Sequence, residues 1–186
     1  MTAQMPDSVR IGGRRYDLCE ISGGGLFDPA DHDIATEAPE TACWRGFICG
    51  YTVSHQQLLL DDLELWSEPS RWAHNRTQLE LVFGERISLD DDRHRAGATG
   101  LAHPTPFTGS LLVARDFIED LYVHMGLQEA HNYREVLELT FESGRLLTNT
   151  DRSEEMAEIR RSEAGDASDS SEDLVDWIDD SMRIDF

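Results

Sequence analysis

The chain has 186 residues, with 16 Lys+Arg against 37 Asp+Glu and a formal net charge of −21. Such a balance excludes non-specific attraction to a phosphate backbone. No apolar run approaches the length of about 18 residues needed to span a bilayer, and MTAQMPDSVRIGG has no apolar segment behind a basic start, so neither a membrane helix nor a secretory signal is expected.

In chain order, SVRIGGRRYDL predicts a hairpin turning at Gly12-Gly13, since two adjacent glycines accept the positive φ of a tight turn. SGGGLFDPADHD follows as a loop. It is not a phosphate-binding loop, because no Lys-Ser/Thr pair follows it. CWRGFICGYTV, residues 43–53, carries the strongest strand signal. Alternation puts Cys43, Arg45, Phe47, Cys49 and Tyr51 on one face and Trp44, Gly46, Ile48 and Gly50 on the other, where the glycines leave a trough for a backbone or a ligand. Residues 54–56 read as a turn into a second strand, QLLLDDLELW, with a kink or bulge at Asp61-Asp62.

Residues 67–77 read as a loop or short helical turn, 78–89 as a strand, and 90–106 as a long polar connection. PFTGSLLVA is the next strand. RDFIEDLYVHMG, residues 115–126, predicts the central helix: Phe117, Ile118, Leu121, Tyr122 and Met125 recur at helical spacing, and Gly126 sits at the cap position. Residues 133–150 form another hairpin turning at Ser143-Gly144, and Asp151 with Glu154 opens a helix through Arg161. No internal repeat is evident. The predicted fold is α+β: a mainly antiparallel sheet with hairpins, one central helix and C-terminal helices.

Charge divides the chain. Residues 1–150 hold 12 Arg and 24 acids, net −12; residues 151–186 hold 4 Arg and 13 acids, net −9. The expected organisation is a compact domain, 1–162, followed by an acidic linker and amphipathic tail, 163–186, in which Leu174, Ile178 and Met182 form a stripe with Trp177 beside it. All 16 basic residues are arginine and none is lysine; with Asp outnumbering Glu by 20 to 17, the composition resembles that of salt-in halophiles. A high-GC genome explains the missing lysine but not the acid excess. Three cysteines, Cys19, Cys43 and Cys49, are too few for a disulfide framework, so the expected compartment is the cytoplasm.

Candidate chemistry is sparse. Cys43, Cys49 and His55 are too far apart on an extended strand to share a zinc ion, and read as buried cysteines. Asp28, Asp31, His32 and Asp33, and likewise Asp90-Asp91-Asp92 with His94, offer ligands to hard cations but read as solvated turns. His124 suits the last turn of a helix electrostatically, and is a general-base candidate if a carboxylate orients it; Arg134 lies nearby in sequence with His131 and Tyr133. Trp44-Arg45-Gly46-Phe47 is the most distinctive tetrapeptide, with Arg45 either paired with an acid or exposed beside a groove. Nothing in the sequence calls for a cofactor or a metal.

The leading reading is a small cytoplasmic binding or regulatory domain. It acts through a protein partner, or through self-association by the tail residues Leu174, Trp177 and Ile178, with no direct nucleic-acid or membrane binding. The alternatives are a small enzyme with a site around Arg45 and His124, and an acidic inhibitor that mimics nucleic acid.

Overall fold

The computed structural model describes residues 3–162. It is an α+β fold built on one mixed, mostly antiparallel sheet. The strands are β1 (Ser8–Ile11), β2 (Arg14–Gly24), β3 (Phe47–Ser54), β4 (Gln57–Trp66), β5 (Ser88–Asp90), β6 (Arg95–Ala98), β7 (His103–Pro104), β8 (Thr108–Phe117), β9 (Tyr133–Glu142) and β10 (Arg145–Asp151). Their order is β10-β9-β8-β2-β1-β3-β4-β6-β5, with β7 beside β4; only β1 and β3 run parallel. The sheet rolls up until β10 meets β4 at Arg145 and Gln57. Two backbone bonds seal that meeting, Leu58 N–H to the Gly144 carbonyl and Leu146 N–H to the Gln56 carbonyl, each 2.8 Å.

Three tight turns drive the curl. Gly12-Gly13, His55-Gln56 and Ser143-Gly144 all hold positive φ, the geometry whose twist matches that of paired strands. Gly144 also lies against the Thr105 carbonyl, where a Cβ has no room. The expected irregularity in QLLLDDLELW is a bulge at Asp61: Gly50 faces Asp62 while Tyr51 faces Leu60. The extra residue keeps Leu58, Leu60, Leu63 and Leu65 all inside, across a change of parity that strict alternation forbids.

The central helix is α1 (Trp72–Phe83), placed where the sequence predicted a loop or short helical turn over 67–77 and a strand over 78–89. Leu79, Leu81 and Phe83 alternate like a strand, yet Leu81 is 74% exposed, and the buried set is Trp72, Asn75, Leu79 and Phe83, at helical spacing. Asn75 decides the docking. Its side-chain amide donates to the Ala35 carbonyl and Ser67 Oγ at 2.6 Å each and accepts from Ala35 N–H at 3.1 Å, so the helix is pinned by a satisfied polar group inside the core.

Residues 115–126 are not helical. β8 continues through Phe117, which pairs with Tyr133, Asp116 takes φ 60°, and a single 3-10 turn spans Glu119–Leu121. Strand pairing claims the first residues of the stripe, and what is left is too short to nucleate a helix without a surface to pack on. Gly126 does adopt the left-handed conformation, but in a loop. The connection 90–106 contains β6 and β7. A second helix, α2, occupies 153–162, with the Asp151 carboxylate accepting from Ser153 N–H at 2.8 Å. Its Met156 packs on a small cluster of Ala114, Ala130, Tyr133 and Val136; the main core fills the curled sheet beneath α1. No helix among the described residues is long and apolar enough to cross a membrane. The tail stripe of Leu174, Trp177 and Ile178 lies outside the described residues.

Candidate interaction surface

The expected strand over 43–53 begins only at Phe47, and residues 43–46 form a turn. Gly46 holds φ 70° with its backbone against Glu37, so it belongs to that turn and not to the trough. Arg45 leaves the strand and reaches Asp7, which accepts from Nη2 at 2.7 Å and Nη1 at 3.0 Å, while the guanidinium covers the Phe47 ring at 4.7 Å. The same carboxylate, only 6% exposed, takes the Cys49 N–H at 2.7 Å. Burial works against the Arg45 charge, but the Asp7 bonds outweigh it and hold its pKa above the ordinary value. Burial also pushes the thiols up: that of Cys49 strongly, beside Asp7, and that of Cys19 to about 12. These are groups held for structure; an inert thiol is a poor nucleophile.

Arg45 borders a cavity of about 530 Å³ with the Gly23–Gly25 loop, Asp28, Asp31 and Tyr51. His124 does not line it. The Asp28 carboxylate caps the next turn through Ala30 N–H, and Asp33 pairs with His74 at 2.9 Å. Among the described residues, no three of His, Cys, Asp and Glu converge as metal ligands. Arg134 is exposed on β9 and does not line that cavity either.

What the structure does bring together is Trp44 and the segment 121–127, through one residue. Gln4 donates its backbone N–H to the Gly126 carbonyl at 2.8 Å; its side chain donates to the Thr41 carbonyl at 2.8 Å and accepts from Trp44 N–H at 3.0 Å. Ala3 bridges Gly126, and Met5 N–H reaches the Ala42 carbonyl. Around this junction stand Met5, Trp44, Leu121, Tyr122, Val123, Met125 and Leu127, all exposed, Trp44 by 58%. They are seven of the ten large apolar residues exposed in the described chain, which makes the clustering more than scattered surface hydrophobicity.

The loop that carries most of them is held in shape. Gln128 accepts from Val123 N–H at 3.0 Å and donates to the Val123 carbonyl at 2.7 Å, as a paired strand would. Edge-to-face rings run from Tyr133 through Phe117 and Tyr122 to His124, tying the surface to the smaller core. No protein family, no curated protein and no solved structure matches the chain. Gln4, which joins this surface, escaped the sequence reading because a glutamine that bonds backbone across about 37 residues leaves no local pattern, and Gln128 because its bonds to Val123 exist only once 121–127 is a loop and not the expected helix.

Proposed function

We propose that this protein is a binding module that docks a protein partner through the apolar surface of Met5, Trp44 and residues 121–127. The observation that supports the reading is an apolar patch kept in a fixed conformation, by Gln4 and Gln128, without being buried. An exposed tryptophan flanked by Tyr122 and Met125 has the composition of an interface centre. Its rim is acidic: Glu37, Glu40, Glu119, Asp120 and Glu129 are all exposed. The partner that fits has an apolar centre bordered by basic residues, and the net charge of −21 disfavours an anionic membrane as the occupant. The chain's composition suits a high-salt cytoplasm, where screening leaves apolar contact as the main source of affinity.

The test is site-specific photocrosslinking in a native high-salt lysate. A photoreactive group at Met125 is compared with one at Leu81, which is exposed on α1 away from the patch. The module reading expects one dominant protein adduct at Met125, absent at Leu81 and lost when Trp44 and Tyr122 are replaced by serine. Equal labelling from both sites, or adducts only within the chain itself, overturns it.

A further inference from the structure

A cavity of about 910 Å³ lies on the outer face of the sheet, across β1, β3, β4 and β6. Its floor follows from register. Ser8 faces Gly50, which faces Asp62; in the next row Ile48 faces Glu64, which faces Gly97. Glycine stands where a side chain would fill the space, and at Gly50 a Cβ would press on the Asp62 side chain at 2.9 Å. The trough expected from Gly46 and Gly50 is built instead on Gly50 and Gly97, since Gly46 belongs to the turn before β3.

Arginines line opposite sides of that floor. Arg10 and Arg15 come from the β1–β2 hairpin, where they face each other; Arg86 follows α1 and Arg95 starts β6. Four guanidiniums against three lining carboxylates, Asp62, Glu64 and Asp90, leave the cavity at +1 within a chain of −21. Arg10 is occupied by Asp61 and Asp62, and Arg95 Nη2 by Glu64 at 2.8 Å. Donors of the other guanidiniums remain without an anionic partner. The Arg15 side chain has no ion pair or hydrogen bond among the described residues. Arg86 meets only the Phe83 and Leu101 carbonyls, and Arg95 Nε is buried with no acceptor. A buried guanidinium nitrogen without an acceptor costs free energy unless something supplies one.

We propose that this cavity binds a small organic phosphate that also carries N–H or O–H donors. Several guanidiniums with free N–H groups call for an anion with more acceptor oxygens than one carboxylate has, and phosphate supplies three with up to two charges. The donors on the rest of the molecule meet Asp62 and Glu64, the carboxylates that line the floor. A nucleotide and a sugar phosphate both satisfy this chemistry. The site is independent of the apolar surface and stands or falls without it.

The test uses the full chain and three probes: inorganic phosphate, glucose 6-phosphate and a mixture of nucleoside monophosphates, each titrated by calorimetry and by amide chemical shifts in one KCl buffer. The proposal expects saturable binding of at least one organic phosphate below about 1 mM, tighter than inorganic phosphate, with shifts at Gly50 and Gly97. Sugar phosphate and nucleotide are separated by which probe saturates. Arg15→Ala should weaken binding at least about tenfold with an unchanged melting temperature, since its side chain has no partner to lose. Arg134→Ala, outside the cavity, should leave binding intact, and Glu64→Gln should weaken the organic phosphates more than inorganic phosphate. No saturable binding by any organic phosphate, an unaffected Arg15→Ala, or equal weakening by Arg134→Ala overturns the proposal.

Discussion

Asp7 shows how much one carboxylate can organise. It sits just before β1, is buried, and its three bonds join Arg45 and the backbone of β3 at Cys49. Removing either partner has unequal consequences. Arg45→Ala leaves a buried anion with a single donor, and should cost about 3 kcal/mol in chemical denaturation. Asp7→Ala leaves a guanidinium that solvent still reaches and one orphaned N–H, so about 2 kcal/mol is expected. The reverse order would mean that Arg45 and not Asp7 is the group that needs its partner. His103 gives the pH dependence. Burial, then Arg86 and His32, hold its folded pKa below the ordinary 6.5. The unfolded chain therefore takes up the proton first. Stability is fully present above about pH 6.5 and falls as pH drops from there towards the folded value. His103→Gln should flatten that part of a stability–pH curve while leaving the fall below pH 4 in place.

At the scale of elements, the three tight turns are natural experiments on one another. Gly12-Gly13 places glycine at both positive-φ positions and Ser143-Gly144 at the second of them, whereas β3 and β4 are joined by His55 and Gln56 at φ 49° and 62°. Two non-glycine residues there carry backbone strain, so His55→Asn with Gln56→Gly should raise stability by about 1 kcal/mol, read as a higher denaturation midpoint at unchanged slope. Gly144→Ala should do the opposite, by about 2 kcal/mol or more, since a Cβ there meets the Thr105 carbonyl and pushes β10 from β4. Equal effects at the two turns would indicate that the φ requirement alone matters and the closure of the sheet does not.

For the whole molecule, the acid excess is the dominant quantity. At molar salt the Debye length falls to about 3 Å, which screens repulsion among exposed carboxylates more than it weakens a pair such as Asp7–Arg45, whose carboxylate is buried. The melting temperature should rise steadily from dilute to molar KCl. A flat profile would mean that the surface ion pairs, among them Arg76–Asp91 and Arg152–Glu138, already compensate the charge, and would leave codon bias as the account of the missing lysine.

The sequence by itself determined the α+β class, the hairpins at Gly12-Gly13 and Ser143-Gly144, the bulge at Asp61, the burial of Cys43 and Cys49, and the glycine floor at Gly50. Each follows from interactions within a few residues: positive φ, alternation, or the parity of a leucine run. Only the tertiary structure decided which apolar stripe is a helix. Leu79-Glu80-Leu81-Val82-Phe83 alternates and yet is helical because Asn75 finds Ala35 and Ser67, while Phe117–Met125 has helical spacing and yet stays extended or looped because β9 takes Phe117 first. The sites followed the same division. Arg45 and Trp44 were visible as unusual residues, but their partners, Asp7 and Gln4, lie about 40 positions away, and arginines 10, 15, 86 and 95 meet only when β1, β2 and β6 lie in one sheet. Contacts at that separation are set by strand order, and strand order is settled by the whole core packing at once rather than by any local pattern.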